Sequence, residues 1–213
     1  MLKPIARYSF NNQTHQVSEA TEKIHELIKN ASYSNDDIVL KRNEIKEAFF
    51  SPFKPQLKNA QVFLSHSHAD RNKTLKVKDY LENQTKRKVF IDSLFWDYKD
   101  DVLNKLAKHD DISKIEYAFT LILRESLQDM IEKCPYFVFL QSSNSVSFNQ
   151  DLLKITYSAW IYEELKIAHS ISAISESRPI PMMESMQVFH DISPFLKSFE
   201  TITLKKLSQQ INS

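Results

Sequence analysis

The sequence predicts an α/β fold: a parallel sheet covered by helices on both faces, preceded by a helical segment. Two observations carry this. Residues 1–56 show helical periodicity, whereas from Gln61 short apolar runs alternate with longer amphipathic stretches. Those short runs are continuously apolar, as strands buried on both faces are, and alternating β and α units build parallel sheets with helical crossovers. A chain of 213 residues suffices for one sizeable core with a small accessory segment.

In order along the chain, Val17, Ala20, Ile24, Leu27 and Ile28 fall at helical spacing, with Thr14 or Ser18 as candidate caps. Ser34 and Asp37 read as a capping box ahead of a second helix through Ile38, Leu40, Ile45, Ala48 and Phe49. Ser51-Pro52-Phe53-Lys54-Pro55 breaks that helix and reads as a linker, so the predicted domains are residues 1–56 and 57–213. Val62–Leu64 is the first buried strand. A helix through Leu75, Val77, Tyr80 and Leu81 follows, ending in the basic run Lys86–Lys88. Val89–Ile91, closed by Asp92, is the second strand, and the polar and aromatic stretch after it reads as a loop carrying Phe95, Trp96 and Tyr98. A helix spans about Ile115–Glu132 through Ala118, Leu121, Ile122, Leu127, Met130 and Ile131, and Pro135 stops it before the third strand, Tyr136–Leu140. A polar loop, a helix near Ser158–Ile171, a short strand near Ile180–Met183, a last strand at Phe199–Leu204 and a terminal helix at Lys205–Ile211 complete the series.

Composition limits the function. Lysine and arginine number 28 against 27 acidic residues, a net charge of +1 that gives no electrostatic footprint for nucleic acid or an anionic membrane. No apolar run approaches a bilayer span, and the first residues lack the apolar stretch of a secretory signal, so a cytoplasmic location is expected. The single cysteine, Cys134, allows neither an internal disulfide nor a multi-cysteine zinc site, and reads as a small buried residue before a strand. Glycine is absent. Glycine-rich phosphate loops are therefore impossible, and a bound nucleotide would be held by side chains or helix N-termini.

Two stretches carry candidate chemistry. The first, VFLSHSHAD at residues 62–70, ends a strand in the spacing H-x-H-x-D. It matches five positions of the H-x-H-x-D-H signature of metallo-β-lactamase-type hydrolases, but Arg71 stands where the sixth ligand belongs, and a cation there opposes metal binding. The alternatives are a mononuclear metal site or two solvent-facing imidazoles on a strand-end loop. The second stretch is YSAWIYEELKIAHSI at residues 157–171. On a helix, Trp160, Ile161, Glu164, Leu165, Ala168 and Ile171 share one face, while Glu163 and Lys166 fall largely outside it. A carboxylate on an apolar face is expensive to desolvate. Glu164 is either an edge residue reaching solvent or a basic partner, or a catalytic carboxylate whose pKa its surroundings perturb.

Taken together, VFLSHSHAD, VFID, YFVFLQSS and SAWIYEEL resemble the TIR (Toll/interleukin-1 receptor) domain family. Phe63, Leu64, Ser65, His66, Ser67 and Asp70 fill its first-strand pattern F-[IL]-S-[YH]-S-x-x-D. Val89, Phe90 and Asp92 match V-F-x-D, and Ser142 follows the third strand. Ser158, Trp160, Glu164 and Leu165 match S-x-W-x-x-x-E-L. The likeness covers about residues 60–205. It departs from the family in having no glycine after the second strand and a long segment before Ser158.

The resemblance implies a flavodoxin-like fold, with residues 57–213 as the TIR-like domain. It implies NAD as substrate, with no separate cofactor or metal, and Glu164 as the catalytic carboxylate. Ser65, His66, Ser67, Arg71, Asp92, Ser142 and Trp160 become candidate substrate contacts. The products would be nicotinamide and either ADP-ribose or a cyclic ADP-ribose signal. The likeness is to standalone bacterial, Thoeris-like antiphage defence proteins, which implies homo-oligomers through TIR–TIR contacts and a downstream effector that responds to the product. Phe95, Trp96 and Tyr98 would lie in the loop that contacts neighbouring copies. A non-catalytic TIR–TIR interaction module and an H-x-H-x-D metal-dependent hydrolase are the alternatives.

Overall fold

The structure is a computed structural model and describes residues 10–34, 37–51, 59–91, 93–109, 113–148, 153–172 and 189–213. The chain divides into two compact units, Met1–Lys58 with Leu94–Arg124 and Asn59–Ser93 with Glu125–Ser213. The predicted boundary between residues 56 and 57 lies outside the described residues.

In the first unit, α1 (Phe10–Lys29) buries Val17, Ala20, Ile24 and Ile28, the stripe its periodicity predicts. It is already helical at Phe10, so Thr14 and Ser18 sit inside it and not at its start. Ser34 and Asp37 do not cap a helix either. They pair across a hairpin of β1 (Ser32–Ser34) and β2 (Asp37–Val39), and α2 (Arg42–Phe50) starts only after it. The largest sequence-level error is the stretch after the second strand, which is not a loop but a helix, α4 (Ser93–Leu106). Tyr98 on that helix is fully buried, meets the ring of Phe49 at 5.1 Å, and donates its hydroxyl to the Phe49 carbonyl at 3.0 Å. Phe119, on the helix that spans Ser113–Lys133 (α5), closes on Phe49 at 5.4 Å. Burying a phenylalanine is worth about 1.5–3 kcal/mol, so this aromatic knot is ample reason for the α4 segment to be helical despite its polar residues. Tyr98 belongs to the core and not to an exposed interface; the side chains of Phe95 and Trp96 are outside the description.

The second unit contains a parallel sheet of β3 (Ala60–Ser65), β4 (Lys88–Ile91) and β5 (Tyr136–Phe139), in the order β4-β3-β5. Register aligns Phe90, Phe63 and Phe137 across the three strands. Phe63 stacks on Phe137 at 5.6 Å, and Phe137 stacks in turn on Phe199. Such cross-strand aromatic pairs fix register, because a one-residue slip would turn every ring to the other face. The connection from β3 to β4 is α3 (Arg71–Thr85), which buries Thr74, Lys78, Leu81 and Thr85 while Leu75 and Val77 are only part-buried. Lys78 is buried because its ammonium donates to Glu82 at 2.5 Å and to the Val89 carbonyl at 2.8 Å; Glu82 also accepts from the Val89 amide. This ties α3 to the start of β4. Without glycine, α3 ends on Lys86 in the left-handed region, φ 58°, donating its amide to the Glu82 carbonyl.

The polar loop after β5 contributes β6 (Ser147–Phe148) and β7 (Lys154–Thr156) to a second, antiparallel sheet that the sequence did not announce, and β8 (His190–Asp191), beyond the next helix, completes it. Its strands are two or three residues long, too short for a period-2 pattern to register. The next helix, α6 (Ala159–Ser172), begins where Ser158 accepts the Ile161 amide through its hydroxyl, an N-cap. After the single turn α7 (Ser193–Leu196), residues 200–203 are irregular and α8 (Leu204–Asn212) follows. The strand expected at Phe199–Leu204 is absent: Thr203 instead caps α8 by accepting from the Lys206 amide, and Phe199 packs on Phe137. The strand expected at residues 180–183 lies outside the described residues. None of the described helices is long and apolar enough to cross a membrane.

Candidate active site at the strand ends

The first strand delivers Ser65 to its carboxyl end, where the Leu140 amide donates to the Ser65 carbonyl at 2.9 Å and so joins the ends of β3 and β5. In parallel sheets this edge is where ligands are met, because the loops leaving it diverge. Onto this edge α6 brings Glu164. The helix is seated by an apolar cluster of Val146, Ile161, Leu165 and Ile192, with Phe137, Phe139 and Phe195 packed against it. Ile161 and Leu165 flank Glu164 on the helix, so their burial turns the carboxylate inward. Ser65 and Glu164, 99 positions apart, are both fully buried, and the serine hydroxyl donates to Glu164 Oε2 at 2.5 Å. Neither an edge position nor solvent accounts for Glu164.

The remainder of α6 departs from the predicted face in two places. Glu163, assigned outside the stripe, is buried, and Ile171, assigned within it, is exposed. Trp160 is part-buried one turn before Glu164. Lys166 holds its ammonium over the Tyr162 ring, 5.9 Å from the centroid.

The loop after Ser65 separates the H-x-H-x-D residues. His66 is buried, Ser67 is part-buried, and His68 is exposed at the start of a 3-10 turn, His68–Asp70. The Ser67 carbonyl accepts the Asp70 amide at 2.8 Å, and Arg71 begins α3. Asp70 is buried and both its carboxylate oxygens are engaged. Oδ1 accepts from Asn144 at 2.9 Å and from Lys73 at 3.1 Å, and Oδ2 accepts from the Ser142 hydroxyl. Burial alone would raise its pKa, but the hydrogen bonds from Ser142, Lys73 and Asn144 and the Lys73 charge outweigh it and hold the carboxyl below its usual range. Among the described residues no group of three or more histidine, cysteine, aspartate and glutamate side chains is gathered as metal ligands. With one imidazole buried, the other exposed and the aspartate committed to the next loop, the three residues do not converge.

Ser142, a candidate substrate contact, also ties two loops together. Its single proton goes to Asp70, while its oxygen accepts the amides of Asn144 and Ser145 at 3.0 and 3.3 Å. Ser145 reciprocates by accepting the Ser142 amide at 2.8 Å. Asp92 is outside the described residues. In the sequence Asp70 is a motif position and a candidate metal ligand; in the fold it organises the loop, and its place in the S-x-x-D pattern of the first strand end is the signal for it. Asn144 and Lys73 carried no such signal.

A groove of about 500 Å3 lies in the first unit between α1 and α2, lined by Lys23, Leu27, Asn30 and Glu47 among others. No family model, curated protein or solved structure matches the chain.

Proposed function

We propose that residues 57–213 form a flavodoxin-like TIR domain that cleaves the nicotinamide–ribose bond of NAD, with Glu164 as the catalytic carboxylate. The observation that carries this reading is the Ser65–Glu164 contact, which joins the first-strand motif to the helix motif. The sheet order agrees with it: β4-β3-β5 places the second strand, the first and then the third, as the flavodoxin-like arrangement does. The chemistry suits a carboxylate. NAD's pyridinium leaves as neutral nicotinamide, so positive charge develops on the ribose as in other oxocarbenium-like transfers. A fixed anion stabilises that charge, and its oxygens can accept from the ribose hydroxyls. Water at the anomeric carbon then gives ADP-ribose and a proton, whereas an internal nucleophile gives a cyclic product. Because Glu164 is fully buried, the site has to open for the ribose to reach it. Trp160, part-buried on the same helix one turn before Glu164, is proposed as an aromatic wall for the departing base. A homo-oligomer and a role in antiphage signalling belong to the same proposal.

The test is nicotinamide release from NAD by the full chain across a range of protein concentrations, with Glu164→Gln, His68→Ala and a chelator. Loss confined to Glu164→Gln supports the reading. Loss with chelator or His68→Ala would transfer it to metal-dependent hydrolysis, and no release at any concentration would leave the non-catalytic interaction module.

A further inference from the structure

We propose that Asp70 is a positioning residue: through the turn 142–145 it sets how α6 presents Glu164 to Ser65. The inference rests on the proposed function for its kinetic readout, though not for its structural one. The path consists of contacts already described. Asp70 accepts from Ser142, Asn144 and Lys73, and its first two donors lie on the turn that follows β5. That turn is closed internally by Ser142 and Ser145, whose hydroxyls each accept an amide of the other residue. It therefore moves as a body. The residue after it, Val146, accepts no freedom of its own: its amide donates to the Ser142 carbonyl at 3.0 Å. Its side chain is buried against Ile161 and Leu165, which stand three residues before Glu164 and one after it.

At the other end of the path, Asp70 lies in the loop that leaves β3 directly after Ser65. Its amide donates to the Ser67 carbonyl and its carbonyl accepts from the Thr74 hydroxyl, so its backbone is held between that loop and α3. Asp70 thus bridges the element carrying the hydrogen-bond donor to the element that seats the acceptor. The bridge is charge-assisted and its carboxylate is buried, while Lys73 and Asn144 reach it from the exposed side; hydrogen bonds to an ionised group are the stronger kind. A buried aspartate serving only local folding would need donors from its own loop and helix; here two of the three come from residues 72 and 74 positions away.

The experiment compares Asp70→Asn and the milder Asn144→Ala with the wild-type chain. Amide exchange at residues 142–146 and 161–165 is predicted to quicken by roughly tenfold or more in Asp70→Asn, the factor expected when a hydrogen bond to a charged group is lost from a local opening equilibrium. In NAD turnover, kcat is predicted to fall by a similar factor with KM nearly unchanged. The same substitution in a Ser65→Ala background is predicted to lower kcat little further, because the geometry it maintains is already gone. Additive losses in the double variant, or exchange at 161–165 no faster than in wild type, would overturn the inference. If the wild-type chain releases no nicotinamide, the exchange arm alone decides, and quickening limited to 142–146 refutes the link to α6.

Discussion

Replacing Ser65 with alanine deletes one oxygen from a fully buried contact and should cost more than a surface serine would. The hydroxyl stands 2.5 Å from Glu164 Oε2 and neither residue is exposed to solvent. Removing one partner of a buried hydrogen bond costs about 1–3 kcal/mol, more where the other partner is charged. We therefore expect about 2 kcal/mol of destabilisation in urea unfolding at pH 7. That corresponds to a drop in Tm of about 4–8 °C, at the ~2–4 °C per kcal/mol typical of this chain length. In a Glu164→Gln background the acceptor is neutral, and the same Ser65→Ala change should cost only about 1 kcal/mol. The difference, about 1 kcal/mol, is the coupling energy a double-mutant cycle reads. If the hydrogen bond persists into the transition state, Ser65→Ala also lowers kcat by about 10–100-fold, by the tenfold per 1.36 kcal/mol relation. A Ser65→Ala cost below about 0.5 kcal/mol with no coupling to Glu164 would refute the contact, since surface substitutions fall in that range.

Three further outcomes follow from other parts of the molecule. Burial pushes the Cys134 thiol up to about 11, with its sulfur 3.8 Å from the Ala60 carbonyl, so iodoacetamide should label it at pH 8 only after urea is added. A raised folded pKa means its stabilising contribution is complete below the unfolded value of ~8.5 and disappears as pH rises through about 11; Cys134→Ala should flatten that alkaline loss in unfolding curves. Lys86, at φ 58°, bears the left-handed cost of ~1–2 kcal/mol that glycine escapes, so Lys86→Gly should gain about 0.5–1 kcal/mol in urea midpoint, net of glycine's greater unfolded-state entropy. Glu82→Ala should cost about 3–5 kcal/mol by stranding the buried Lys78 ammonium, and Lys78→Met should cost clearly less, because the carboxylate keeps the Val89 amide; equal costs would deny the asymmetry.

What the sequence made legible is what burial writes most strongly. Strands β3, β4 and β5 are continuous apolar runs, and α1 and α5 keep helical periodicity over many turns; the strands and α5 end within a few residues of their predicted limits, whereas α1 starts at Phe10, ahead of both candidate caps. What it concealed has physical causes. In α4, aspartates and lysines mask an apolar stripe whose decisive member, Tyr98, is anchored by a carbonyl distant in sequence. Ser34 and Asp37 satisfy a capping pattern, but the same residue types suit a hairpin turn, and pairing won. Phe199 has the apolar character of a strand residue, yet its burial comes from stacking on Phe137. At the candidate site, the helical face of Glu164 left an edge position and an inward carboxylate both open, and its hydrogen bond from Ser65 was not legible, because the two meet only across the folded sheet. The role of Asp70 was not legible, because its donors come from a turn whose position depends on the folded sheet.

The most direct measurement is nicotinamide release from NAD by the wild-type chain and by Glu164→Gln at equal concentration, with folding of both verified by far-UV circular dichroism. The account predicts release by the wild type and a loss of at least about a hundredfold in Glu164→Gln, the scale of removing a group that stabilises transition-state charge. Equal rates in the two folded proteins would contradict it.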